Sequence, residues 1–129
     1  MSTESDTPKK LSLVVFSGTF EKVHYALVMA SAALASGRDV TLFFTMDASR
    51  ALFAPSGWRH LRTEVDGATA TSIDLSYSTR GIGTFEELLS ACASLNAKFM
   101  VCEMGLRALG LENEAKRDDL SIETGGVVT

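Results

Sequence analysis

Cys102 closes a short apolar run, Lys98-Phe99-Met100-Val101-Cys102, and is followed by Glu103-Met104-Gly105, where helix-forming residues resume. A thiol between a strand end and a helix start meets unpaired backbone N–H groups and the positive end of the helix dipole, and both favour its thiolate. The thiolate is the nucleophile in exchange with disulfides and persulfides. Free cysteine is also among the most buried residue types, so simple packing is the competing account of the position. Cys92 is the contrast: it shares one apolar helix face with Phe85, Leu88, Leu89 and Leu95 and reads as core. Ten residues separate the two cysteines, which is neither a CxxC redox pair nor a zinc knuckle.

A second group follows the first apolar run as Ser17-Gly18-Thr19-Phe20-Glu21-Lys22. Gly18 permits close backbone approach and Lys22 brings a positive charge, so the turn is a candidate anion cradle; a tight turn with a solvated lysine accounts for it equally well. It matches neither the dinucleotide fingerprint nor the phosphate-binding P-loop. In open α/β sheets ligands bind outside the carboxyl ends of the strands. That rule gathers Gly18, Thr19, Lys22, Thr45, Glu103, Met104 and Gly105 as candidate substrate-binding or anion-stabilising residues around Cys102. His24 reads as a partly buried, hydrogen-bonded histidine, and His60 has no recognisable partner. Two isolated histidines imply no metal site, and no cofactor motif is present. No GxSxG elbow argues for a serine nucleophile.

The elements that must position these residues are legible at both ends of the chain. Leu11–Phe16 is a short β-branched and apolar run closed by Ser17-Gly18, as expected of a strand buried on both faces. From Phe20 to Ala35 helix formers take over, with Val23, Leu27, Ala30 and Leu34 spaced by four, three and four residues, and Gly37 stops the run. Val40–Thr45 is a second buried strand, completing a right-handed βαβ unit. Thr84 with Glu87 three residues on is a capping box that opens a helix. Lys98–Cys102 then reads as a strand, Met104–Leu109 as a helical turn ended by Gly110, Glu112–Asp119 as a further helical turn, and Ile122–Thr129 as a last strand. Between Met46 and Gly83 neither period is sustained; Asp47–Phe53 reads as a short capped helix and Ala70–Leu75 as a strand with Ile73 and Leu75 inward.

With 129 residues, 46% hydrophobic and 22% charged, the chain supports one domain, expected over residues 11–129 behind a disordered polar leader, 1–10. Twelve Lys and Arg against sixteen Asp and Glu give a formal charge of -4, which offers a phosphate backbone no basic field, so no nucleic-acid partner is expected. No apolar run approaches the roughly 20 residues a membrane helix needs, so no membrane insertion is expected. Two cysteines and no export signal point to a reducing, cytoplasmic setting. The Phe20–Ala35 helix carries Val23, Ala26, Leu27, Val28, Ala30, Ala32, Ala33 and Leu34, too little polar surface for a solvated outer face, which predicts a homo-oligomer.

Ser17-Gly18, Glu21-Lys22, the Ala-rich helix ending at Gly37 and Phe43-Phe44-Thr45 together resemble the first half of the DsrE/DsrF/DrsH-like sulfur-relay family. The second half is similar in its Phe85-Glu86-Glu87-Leu88-Leu89 helix, the strand ending in Cys102, the CxMxxxxxG segment Cys102–Gly110, and the closing Gly125-Gly126-Val127. Gly105 stands where related chains often carry Ser, and Met46–Gly83 matches nothing in the pattern. The resemblance implies a single-domain three-layer α/β sandwich on a mostly parallel sheet of about four to five strands. It implies a trimer or hexamer, sulfur donor and acceptor proteins as partners, and Cys102 as the residue that carries sulfane sulfur as a persulfide. The alternative from another class is a non-enzymatic module of the same fold that binds a small ligand or a protein while Cys102 only packs. A peroxide-reducing thiol enzyme is a third option; no second cysteine is spaced to resolve a sulfenic acid, though glutathione can substitute.

Overall fold

The computed structural model describes residues 9–128. Residues 1–8 of the expected leader, and Thr129, lie outside the described residues, and Lys10 already belongs to the first strand. Strands β1 (Lys10–Val15), β2 (Asp39–Phe44), β3 (Lys98–Cys102) and β4 (Ile122–Gly125) form one sheet in the order β1-β2-β3-β4, every neighbour parallel. Helices α1 (Phe20–Ala35), α2 (Ala70–Thr79), α3 (Phe85–Ser94) and α4 (Glu103–Ala108) lie in the connections. Two 3-10 turns, Met46–Leu52 and Gly57–His60, occupy the irregular stretch after β2.

Side chains alternate across a strand, so register decides which rows share a face. Leu11, Leu13 and Val15 pair with Val40, Leu42 and Phe44, and the last two pair in turn with Phe99 and Val101. These rows form one core with Phe20, Val23, Leu27 and Ala30 of α1 and with Phe85, Leu89 and Cys92 of α3. Ile73 and Tyr77 of α2 and Leu111 and Leu120 of the last connection pack against the same core. Right-handed crossovers between strands laid down in chain order all pass over one side of the sheet, which accounts for the shared core. The opposite face carries the row Val14, Phe43, Met100. Exposure on that face is concentrated at the β1 edge, where Val14 is 67% and Phe16 63% exposed, whereas Met100 on β3 is buried.

α1 has the expected bounds, and α3 has the expected cap: the Thr84 hydroxyl accepts the Glu87 N–H at 3.2 Å while the Glu87 carboxylate accepts the Thr84 N–H at 2.9 Å. The segment Ala70–Leu75, expected as a strand, is instead the first half of α2. Thr69 and Ser72 cap it reciprocally, and the i, i+4 pair Ile73 and Tyr77 faces inward while Leu75 is exposed. The helical turn expected in Glu112–Asp119 is replaced by a return segment held by its backbone, with Ala54 N–H donating to Ala115 C=O at 2.9 Å and Arg117 N–H to Leu52 C=O at 2.8 Å. The Arg117 guanidinium bridges Glu86 on α3 and Asp119, fixing this segment beside the core. β4 is accordingly shorter than expected, ending at Gly125.

Candidate functional site

Cys102 ends β3 and is at once the N-cap of α4: its Sγ accepts the Gly105 N–H at 3.4 Å, a normal length for sulfur. The thiol is fully buried. α4 packs on the Met46–Leu52 turn, and Gly105 lies against the start of that turn. A Cβ there would lie 2.7 Å from Thr45 Oγ1 and 2.8 Å from Met46 N, so only glycine lets α4 rest on the end of β2. Thr45 is itself buried and donates its N–H to Val15 C=O at 3.0 Å, tying the ends of β1 and β2 together. Met46 takes up a left-handed backbone, φ 52°, an uncommon conformation for a residue with a side chain. Cys102, Gly105 and Thr45 are therefore brought together. Glu103 pairs with Arg107 along α4 and Met104 is 64% exposed, so both flank the thiol on the solvent side.

Gly18, Thr19 and Lys22 form a separate group. Ser17 Oγ accepts the Thr19 N–H at 3.2 Å, and Thr19 Oγ1 donates to Glu64 Oε2 at 2.8 Å, so the threonine hydroxyl is already engaged. Lys22 Nζ lies 3.9 Å from the same carboxylate, with its side chain 67% exposed. Met46 and Asp47 stand between the groups: Met46 N abuts the Gly105 position, and both residues line a cleft of about 360 Å³ with Gly18, Lys22 and Arg62. Asp47 falls in the stretch after β2 that the strand-end rule marks, whereas Arg50 and Arg62 were not candidates on sequence grounds, because they come from the aperiodic stretch and nothing local marks them.

Cys92 lies in the core of α3, where its thiol points at Leu27 C=O at 3.8 Å and burial pushes its pKa up to about 11. His24 is buried, with Nε2 2.8 Å from Gly83 O and its ring 4.7 Å from that of Tyr77, as a packed histidine should be. Among the described residues no group of three His, Cys, Asp or Glu side chains is close enough to hold a metal ion. No helix among them is long and apolar enough to cross a membrane.

A parallel α/β sheet with its chemistry-bearing residues gathered at the strand ends, and a cysteine capping the helix after β3, defines a class of small single-domain proteins. Within that class, the DsrE/DsrF-like family pattern matches residues 9–129, and the chain belongs to that family. Its fold is similar to the crystal structure of the YchN protein from E. coli, at 16% identity and a TM-score of 0.53, over 95% of this chain and 87% of that one. No curated relative matches the sequence.

Proposed function

We propose that the protein is a carrier of sulfane sulfur acting through Cys102 in a reducing compartment. The Gly105 N–H directed at Cys102 Sγ carries this reading, since the same donor serves a thiolate or a persulfide anion, and the family is one associated with sulfur relay. In the transfer the Cys102 thiolate attacks the outer sulfur of a donor persulfide. The donor's sulfur–sulfur bond breaks, the donor leaves as a thiolate, and Cys102 becomes the persulfide. An acceptor thiolate then attacks the outer sulfur and releases Cys102. Because the thiol is buried, both steps require the first turn of α4 to lift. That helix has six residues, too few to be stable alone, and Leu106 anchors it in the core. Glu103 and Met104, exposed on the outside of the turn, are where a donor or acceptor protein would press.

Sulfur uptake tests the proposal: a persulfidated sulfurtransferase loaded with labelled sulfane sulfur should pass label to wild-type protein and to Cys92→Ser, but not to Cys102→Ser. The full burial of Cys102 favours a second reading, a binding module in which the thiol only caps α4. Under that reading no donor labels the wild type. Self-association belongs to either reading, and the open sheet face is the better candidate surface than the outer stripe of α1. Parallel sheets are as a rule covered on both faces, and at the β1 edge of this one the apolar Val14 and Phe16 are exposed. On α1 the large apolar exposure is limited to Tyr25 and Met29.

A further inference from the structure

The irregular stretch between β2 and α2 builds a cleft that the sulfur chemistry of Cys102 does not use. Two adjoining clefts of about 260 and 360 Å³ share Gly18, Asp47 and Arg62 in their walls. Arg62 is delivered there by its backbone: it bridges to Thr19, and its carbonyl accepts the Phe20 N–H at 2.7 Å, while the preceding Leu61 is buried as an anchor. Its guanidinium is thereby held over Gly18. A Cβ on Gly18 would lie 3.1 Å from Arg62 Nη2 and 2.6 Å from Asp47 Cβ, so the glycine is what admits both side chains.

The charges around the cleft do not cancel. Arg50 is 3.4 Å from Asp47, and Lys22 is 3.9 Å from Glu64. Among the described residues no carboxylate lies within ion-pairing distance of Arg62. Arg62 therefore leaves a local positive charge at the cleft on a chain whose formal charge is -4, and His60 on the wall of the smaller cleft adds a ring that can hydrogen-bond. A guanidinium offers a planar fork of donors that fits two oxygens of a phosphate-like group. Since a water takes about 30 Å³, the cleft has room for a small ion and a few retained waters.

We propose that this cleft binds a small tetrahedral oxyanion, with Arg62 as the principal ligand and Lys22 as a supporting charge. Phosphate and thiosulfate share this chemistry. Asp47 opposes the anion and Arg50 partly neutralises Asp47, so the affinity is tuned from both directions. Met46 forms part of the wall and also abuts Gly105, which places the bound ion next to the Cys102 turn without touching the thiol.

The test is titration of the full chain with sodium phosphate and, separately, with sodium thiosulfate at constant ionic strength, followed by amide NMR. Saturable shifts at Gly18, Asp47 and Arg62 are expected. Arg62→Gln, which keeps the backbone anchor and removes the charge, should weaken binding about tenfold or more. Asp47→Asn should tighten it, and Arg38→Ala, at the opposite end of the sheet, should leave it unchanged. Tighter thiosulfate identifies a sulfur oxyanion as the preferred ligand, and tighter phosphate identifies phosphate. Cys102→Ser should bind as the wild type does, which separates this site from the sulfur-carrier proposal. Shifts that rise linearly without saturation overturn the assignment, as does saturable binding that Arg62→Gln leaves intact.

Discussion

Replacing Gly105 with alanine sets two opposed effects against each other at the Cys102 turn. Helix propensity favours alanine by about 1 kcal/mol in a helix interior and by less in a first turn. Against it, the new Cβ would sit 2.7 Å from Thr45 Oγ1 and 2.8 Å from Met46 N. The hydroxyl can rotate away, but Met46 N belongs to a backbone already at φ 52° and joined to the end of β2. Overpacking of this kind costs about 1–3 kcal/mol, so the clash wins and Gly105→Ala should lose about 1–2 kcal/mol. At roughly 4 °C per kcal/mol for a domain of this size, Tm should fall by about 4–8 °C. Urea denaturation checks the magnitude. Adding Thr45→Ala should recover only part of the loss, because the backbone contact remains. Relief of the clash by lifting α4 should also make Cys102 alkylate faster than in wild type. A stabilised Gly105→Ala would refute the close approach of α4 to β2, and with it the account of how the thiol is enclosed.

Iodoacetamide at neutral pH should label Cys102 faster than Cys92: both thiols are buried, but Cys102 is released by opening one short helix, whereas Cys92 lies in the core with a pKa near 11; equal rates, or faster Cys92, would count against it. The Arg117 cluster predicts an acid-side loss of stability. Hydrogen bonds from Arg117 hold the Glu86 and Asp119 carboxyls below their ordinary values of 4.5 and 3.8. A depressed folded-state pKa gives stability that is present above the unfolded value and lost as pH falls through the folded one. Wild type should therefore lose more stability than Arg117→Met as pH drops below about 4.5, with both measured by urea denaturation; parallel curves would remove the linkage. Phe16→Glu on the open sheet face should weaken self-association in light scattering more than Tyr25→Glu on α1 does, and wild-type protein that is monomeric at micromolar concentration would contradict the association.

Local signals carried the parts of the fold that local chemistry decides. Phe20–Ala35 ends where Gly37 supplies a left-handed φ of 84°, and α3 opens on the local Thr84 and Glu87 box, to which Asp74 of α2 adds a carboxylate that accepts the Phe85 N–H. The position of Cys102 between strand and helix was legible for the same reason. α2 was misread because Ile73 and Leu75 mimic strand alternation, while its true signal, the Thr69 and Ser72 cap, uses serine where a carboxylate or amide side chain is the usual cue. The side-by-side packing of Gly105 and Thr45, and the placing of Arg62 over Gly18, depend on pairings across long stretches of chain. No window of sequence contains both partners, so composition and period could not find them. The open face of the sheet follows from strand order, which also lies beyond any local pattern.

The most direct measurement of the central claim is mass spectrometry of protein purified rapidly under thiol-blocking conditions. The account predicts a mass increase of one sulfur atom confined to the peptide containing Cys102, removed by a small thiol and absent from the Cys92 peptide. An unmodified Cys102 peptide that stays unmodified after incubation with several persulfide donors would contradict it.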